Sequence, residues 1–197
     1  MNANARGFSL IEVLVTVFVT AIGLLTAAGL QITTKRLNYD AQQRAQATQI
    51  AQDILSRMRA NGGQLALGAY LTEDAAGTAA PGVDCASSTC TPPQMAAYDL
   101  YVWRQALLGE ASTQQGENAG GLAYATGCVQ AGDGGLTTIA IAWRGISPIA
   151  QGDSSNPADP SGTTCGENNP AYTAEGNEGD VTYRRVMVIT AFIAAPN

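Results

Sequence analysis

The side chains most able to carry chemistry in this chain are one carboxylate within an apolar stretch and four cysteines. The carboxylate is Glu12, which interrupts the apolar segment GFSLIEVLV near the start of the sequence. The cysteines are Cys85, Cys90, Cys128 and Cys165. The sequence contains no histidine, which excludes Ser-His-Asp and Cys-His catalysis as well as metal sites built on histidine.

The four cysteines predict disulfide bonds. They are even in number and lie in surroundings rich in Gly, Ser, Thr and Pro, as expected of exposed loops in an oxidising compartment. Three pairings are possible in principle, and short separations along the chain favour Cys85 with Cys90 and Cys128 with Cys165. Zinc binding by thiolates is not expected, because no two cysteines have the two-residue spacing of zinc sites.

Other candidate sites lie in the polar segment of residues 145–180. The tripeptide GDS at residues 152–154 resembles the elbow of a serine protease, but without histidine the general base is missing. Acids and amides of this segment offer a calcium hypothesis, although they lack EF-hand spacing and a solvated loop explains them equally well. The candidate ligands are Asp153, Asn156, Asp159, Glu178 and Asp180.

The charge distribution argues against nucleic acid as a partner. The formal net charge is -6, from 10 Lys and Arg against 16 Asp and Glu. The basic residues concentrate before residue 62, so the remainder of the chain is strongly acidic. A nucleic-acid surface needs a basic face, and we therefore expect no nucleic-acid partner.

The amino-terminal apolar segment is long enough to cross a membrane. Residues 8–30 supply about 23 mainly apolar positions, enough for a helix through a bilayer core of about 30 Å. Residues 1–7 form a short polar leader that ends in glycine, and a cut after Gly7 would leave the span on the mature protein.

Glu12 needs a partner if this segment lies in lipid, because an unpaired carboxylate costs several kcal/mol in hydrocarbon. A cut after Gly7 would create a positive amino terminus on Phe8, four residues away. That amine could pair with Glu12 of the same chain or of a neighbouring subunit. On composition alone, a simple signal anchor with Glu12 at headgroup level is the alternative.

The segment GFSLIEVLV closely resembles the type III leader and methylation motif of prepilins, which has glycine before the cut, then an aromatic residue, and glutamate at the fifth mature position. The resemblance implies that prepilin peptidase cuts after Gly7 and that Phe8 becomes the N-methylated amino terminus. It also implies that Glu12 registers each subunit against the next by pairing with the neighbour's amino terminus. A structural assembly protein without catalysis or cofactor is expected.

The remaining chain predicts an α+β protein. Residues 31–61 continue the first helix as an amphipathic half, and residues 62–197 form a globular domain outside the membrane. Apolar positions with three- and four-residue spacing define the face of this helix half that packs on the domain. They are Ala47, Ile50, Ala51, Ile54, Leu55 and Met58.

One further helix and three strands are predicted within residues 62–197. The helix has Thr91 as N-cap, Gln94 to complete a capping box, and Gly109 after its end. Its predicted buried stripe is Met95, Tyr98, Val102, Trp103 and Ala106. The segments LAYATGCVQ, LTTIAIAWR and VTYRRVMVITAFI predict an antiparallel sheet in which the last strand, apolar on both faces, is central.

Downstream segments resemble, in order, the minor pilins of the PilV type: QATQIAQDILSRMRANGG, the later Trp-containing helix, GCVQ, IAIAWRG, CG and RRVMVIT. The resemblance implies the type IV pilin fold, a long helix packed on an antiparallel sheet. It further implies a low-abundance subunit that joins other minor pilins and the major pilin, primes pilus assembly and sits near the tip. Other implied partners are the inner-membrane assembly platform and a PilY-type tip adhesin.

The implied location is the inner membrane, crossed once with the carboxyl-terminal domain in the periplasm, and then the pilus on the cell surface. A minor pseudopilin of type II secretion is an alternative because it shares the leader. A pilin that takes up DNA or binds a ligand is a second alternative. It would need a basic surface patch, for which the sequence offers Arg184 and Arg185.

Overall fold

The computed structural model shows a chain that divides into two compact units, residues 1–41 and 42–197. Helix α1, Leu10–Ala60, contributes to both units, whereas the other helices and strands belong to the second. The structure describes Gly7 and residues 9–63, 68–150, 159–174 and 181–193. Its helices and antiparallel strands confirm the α+β class.

The part of α1 within the second unit is amphipathic, as its sequence predicts. All six of the apolar positions that share three- and four-residue spacing are buried. The helix ends where Asn61 donates its backbone N–H to the carbonyl of Arg57 at 3.0 Å and two glycines follow. Burial of this apolar face places α1 in the main hydrophobic core of the second unit.

Helix α2, Pro92–Leu108, has the ends that its sequence predicts. The side-chain oxygen of Gln94 accepts hydrogen bonds from the backbone N–H and the hydroxyl of Thr91, both at 2.9 Å. Proline stands at the first helical position, where no N–H is needed. Gly109 adopts a left-handed conformation with φ of 72°, which ends the helix.

The predicted buried stripe of α2 is largely wrong. Trp103 is fully buried, but Met95, Tyr98, Val102 and Ala106 are only half-buried. The buried positions are instead Ala96, Asp99, Leu100, Trp103 and Leu107. The buried stripe differs from the predicted one because Asp99, a polar residue, faces inward. A prediction from apolar spacing alone assigns such a residue to the solvent side.

Asp99 joins α1, α2 and the segment after residue 68 through a buried polar network. Its carboxylate accepts a hydrogen bond from the Tyr70 hydroxyl at 2.6 Å and from the Arg57 guanidinium at 3.2 Å. Arg57 also pairs with Asp53 at 2.8 Å, one helical turn away. Burial lowers the pKa of Arg57, but its bonds to Asp53 and Asp99 raise it by more. The network therefore keeps the charge of Asp99 compensated inside the fold.

The sheet has three antiparallel strands, which confirms the prediction of an antiparallel sheet. A small hairpin of β1, Thr113–Gln114, and β2, Glu117–Asn118, precedes it. The three strands of the sheet are β3, Thr126–Ala131, β4, Leu136–Arg144, and β5, Arg184–Phe192.

The prediction that the last strand is central is wrong, because β4 lies between β3 and β5. Positions 139–143 of β4 are buried on both faces, whereas most of β5 is only half-buried. The apolar character of β5 on both faces has another cause. Met187 and Ile189 pack on the main core, and Val188 packs on the opposite side against the cluster that contains Cys128.

Two disulfide bonds link Cys85 to Cys90 and Cys128 to Cys165. These are the pairs that short separation along the chain favours. The first closes a loop directly before α2, and the second ties β3 to the long segment between β4 and β5. Cys128 and Cys165 are buried together with Ala140 of the central strand.

Arginine side chains hold the same long segment against the sheet. Arg184 donates hydrogen bonds to the backbone carbonyls of Thr163 and Cys165, the latter at 3.1 Å. Arg144 donates to the backbone carbonyl of Ala171. The segment is therefore anchored through main-chain oxygens as well as through its disulfide.

Two buried tyrosines predict a loss of stability at alkaline pH. Burial raises the pKa of Tyr172 to about 12, and burial followed by the bond to Asp99 raises that of Tyr70. In the unfolded chain both phenols lose their protons near the ordinary pKa of 10.0. Above that pH the unfolded state binds fewer protons than the folded state, so the free energy of unfolding should fall between about pH 10 and 12.

Denaturant titrations of the full chain across this range check the expectation. Tyr172→Phe removes the hydroxyl that donates to the Tyr124 carbonyl at 2.6 Å, so this variant should be less stable at neutral pH. Its stability should nevertheless fall less steeply with pH than that of the wild type. Parallel curves for the two proteins above pH 10 would contradict the assignment to Tyr172.

Candidate functional site at the start of the first helix

The first turn of α1 positions Glu12 beside the predicted cleavage point. The backbone carbonyl of Ser9 accepts hydrogen bonds from the N–H groups of Glu12 at 3.0 Å and Val13 at 3.3 Å. A carboxylate in the first turn interacts favourably with the positive end of the helix dipole. Serine followed three residues later by glutamate is also the spacing of a capping box, a local signal for the start of this helix that the prediction from apolar length did not include.

Gly7, Ser9 and Glu12 are all exposed. Among the residues that the structure describes, the Glu12 carboxylate has no hydrogen-bond or ion-pair partner. Phe8, the predicted new amino terminus, lies outside the described residues. The structure thus places the glutamate of the motif on an open helix surface, and its pairing with an amine stays a prediction.

The first unit presents an apolar helix surface. Every side chain from Ser9 to Tyr39 is exposed, and the apolar ones include Leu10 at 87% and Leu25 at 74%. Helix α1 is long and apolar enough to cross a membrane by length and composition, with a mean hydropathy of 2.3 in its most apolar window. So large an apolar surface needs lipid or other protein to cover it.

Threonines within this surface bond to their own helix. Each hydroxyl donates to a backbone carbonyl three or four residues earlier, at 2.7 to 3.3 Å. These residues are Thr16, Thr20, Thr26, Thr33 and Thr34. Because their hydroxyls are satisfied locally, these side chains do not need water. Glu12 is the one charged residue in the sequence from residue 9 to residue 34.

Comparison with protein families gives two matches. The prokaryotic N-terminal methylation motif matches residues 2–28, and a family described as type IV pilin Tt1218 matches residues 29–101. The two matches adjoin and together cover slightly more than half of the sequence. Residues 2–101 therefore have the sequence of a type IV pilin with its methylation motif.

The family assignment explains the open helix surface of this pilin. Type IV pilins are structural subunits rather than enzymes, and their apolar amino-terminal helix fits both membrane anchoring and assembly into a pilus. Interaction with other pilins and with the prepilin peptidase follows from the family in general. Searches of curated proteins and of solved structures give no match.

The basic patch considered for a pilin that takes up DNA is not formed by Arg184 and Arg185. Both residues are only 4% exposed. The Arg184 guanidinium points to loop carbonyls, and Arg185 donates to the backbone carbonyl of Ser147 at 2.6 Å. Sequence alone could not distinguish a solvated arginine pair from one that holds a loop. These two residues are structural in this pilin.

The calcium hypothesis concerns mostly residues outside the described parts of the chain. Asp153, Asn156, Glu178 and Asp180 lie there, and only Asp159 is described. Within the described ranges, no group of three or more acidic or cysteine side chains is arranged to hold a metal ion. Calcium binding by the longer polar segment therefore stays a hypothesis.

Proposed function

We propose that this pilin is a minor pilin of the PilV type, which primes assembly of a type IV pilus and is incorporated near its tip. In this proposal the prepilin peptidase cuts after Gly7, and Phe8 becomes the N-methylated amino terminus. Glu12 then pairs with the amino terminus of a neighbouring subunit. The protein itself carries out no catalysis and needs no cofactor.

The observation that carries the proposal is the carboxylate of Glu12, which lies on an exposed apolar helix and has no partner among the described residues. An ionised carboxylate has a high free energy in hydrocarbon. An opposite charge buried beside it lowers that free energy. The only amine that the cleavage motif creates near this depth is the new terminus of a pilin. Pairing between subunits therefore satisfies the carboxylate and fixes the axial register of one helix against the next.

The choice of the PilV type rests on the downstream segments that resemble it. GCVQ lies in β3 and includes Cys128, IAIAWRG covers most of β4, and RRVMVIT covers most of β5. The short segment CG contains Cys165, the disulfide partner of Cys128. The likeness thus includes the sheet and its disulfide as well as the buried half of α1.

The proposed partners are other minor pilins, the major pilin, the inner-membrane assembly platform and a PilY-type tip adhesin. Before assembly the protein spans the inner membrane once, with residues 62–197 in the periplasm. After assembly it lies in the pilus on the cell surface. Two disulfides in the second unit support this location, because disulfides persist in the periplasm and outside the cell.

A minor pseudopilin of type II secretion is the second candidate, because it shares the methylation motif. Deleting the gene and measuring both sheared surface pili and type II exoprotein export in one strain separates the two. We expect pili to be lost or strongly reduced while export stays normal. Normal pili with failed export would replace the pilus assignment by the pseudopilin one.

Glu12→Ala should reduce copurification of this pilin with other pilins by more than about tenfold, because breaking a charge pair in a low-dielectric setting costs several kcal/mol. Membrane insertion should be unchanged, since the substitution makes the span more apolar. The measurement is copurification from detergent-solubilised membranes alongside membrane fractionation.

Two matched variants control for this experiment. Glu12→Asp keeps the charge and should restore part of the interaction, whereas Thr16→Val alters a polar side chain that bonds only within its helix and should have no effect. Normal copurification of Glu12→Ala would refute the role given to Glu12 without bearing on the fold.

A further inference from the structure

The two disulfide bonds differ in their access to solvent. Cys128 and Cys165 are 1% and 2% exposed and pack against Ala140 and Val188. Cys85 and Cys90 are half-buried, and residues 86–89 between them are all exposed. A thiol that exchanges with a disulfide must reach one of its sulfur atoms directly. Of the two bonds, only Cys85–Cys90 joins residues that are partly open to solvent.

Asp84 shapes the small loop through bonds that do not depend on the disulfide. Its carboxylate accepts hydrogen bonds from the N–H of Ala86 at 2.9 Å and the hydroxyl of Ser87 at 3.0 Å. Its backbone carbonyl accepts a hydrogen bond from the N–H of Ser88, also at 3.0 Å. After reduction this turn would keep the two thiols near each other, which favours closure of the bond again.

The start of α2 is also held independently. Gln94 bonds to Thr91, and the side-chain amide of Asn61 donates to the carbonyl of Pro92 at 2.8 Å. Opening of the Cys85–Cys90 bond should therefore affect residues 84–90 and leave the helix in place. The loop has the features of a local unit that can open and close without unfolding the domain.

We propose that Cys85–Cys90 is a reversible exchange site for low-molecular-weight thiols, whereas Cys128–Cys165 is a permanent structural bond. A thiolate attacks one sulfur, the S–S bond breaks, a mixed disulfide forms, and the released cysteine thiolate takes up a proton. When that cysteine, as thiolate, attacks the mixed disulfide, it expels the small thiol and restores the loop. When a second small thiolate attacks instead, the products are two cysteine thiols and an oxidised small-molecule disulfide.

The test exposes the full chain in detergent micelles to reduced glutathione, followed by alkylation and peptide mass spectrometry. Cys85 and Cys90 should be labelled at least about tenfold faster than Cys128 and Cys165, because exposed disulfides are the labile ones. The near-UV circular dichroism of the buried tryptophans should not change. Simultaneous labelling of all four cysteines, or earlier labelling of Cys128 and Cys165, would overturn the proposal.

A pair of aspartate variants tests reversibility. When reduced glutathione is then replaced by oxidised glutathione, which supplies the oxidant, Asp84→Ala should close the bond several times more slowly than the wild type, about three- to tenfold. Asp74→Ala is the matched control, because Asp74 forms a similar bond to the N–H of Ala76 at 2.9 Å outside this loop. Equal closure rates for Asp84→Ala and the wild type would refute the role of the turn.

Discussion

Replacing Cys128 and Cys165 together by alanine should lower the free energy of unfolding by about 4 kcal/mol, estimated from the loop that the bond closes. The two cysteines are 37 positions apart in sequence, so their bond removes much of the freedom of the unfolded chain. Both side chains are buried beside the central strand, so some packing is lost as well. Urea titration of the full chain in detergent, followed by fluorescence of Trp103 and Trp143, measures the change.

The matched control replaces Cys85 and Cys90 by alanine. These residues are only 5 positions apart, and the same relation gives a loss of about 2 kcal/mol. The larger effect should therefore belong to the buried pair. Equal losses, or a larger loss for the Cys85 and Cys90 pair, would show that loop length and burial do not determine what each bond contributes.

Gly121→Ala should destabilise the protein by about 3 kcal/mol, at the upper end for overpacking, because its neighbours are backbone atoms that cannot move aside. A methyl group there would lie 2.5 Å from the backbone nitrogen of Gly109 and 2.7 Å from the carbonyl oxygen of Leu108. The chain passes this close to the end of α2 because Leu122 donates its N–H to the Leu107 carbonyl at 2.9 Å.

Gly82→Ala provides the control for this substitution. Its added methyl group would meet no atom within 4 Å, and its φ does not lie in the left-handed region. A surface change of this kind should shift the free energy of unfolding by no more than about 0.5 kcal/mol. If the same urea titration gave similar values for Gly121→Ala and Gly82→Ala, the close backbone contact at the end of α2 would not be rigid.

The sequence predicts elements well where apolar spacing and end signals agree. The buried positions of α1 follow directly from their three- and four-residue spacing, and Thr91 with Gln94 and Gly109 marks both ends of α2. Such signals are local, so they need no knowledge of what packs against the helix.

Prediction fails where a distant residue decides the environment. Asp99 faces inward because Tyr70 and Arg57 lie there to bond with it, and neither is near it in sequence. Arg184 is buried because loop carbonyls surround it. Similarly, β5 is apolar on both faces although it is not central, since separate clusters cover its two sides.

For the proposed assembly site, sequence-based prediction stops for a different reason. The motif around Glu12 can be read from nine residues, but its function depends on a second chain. A single chain shows only that the carboxylate is open and that the surrounding helix is apolar. The identity of the neighbour is therefore a matter for the copurification experiment.

The arginines that anchor the long segment after β4 bind backbone carbonyls, a group that every amino acid supplies. Arg144 and Arg184 hold the chain at Thr163, Cys165 and Ala171 without selecting the side chains there. Apart from the cysteine, the anchored positions can change residue type while the anchors persist. The outward side chains of this segment can thus change without loss of the bonds that hold its backbone to the sheet.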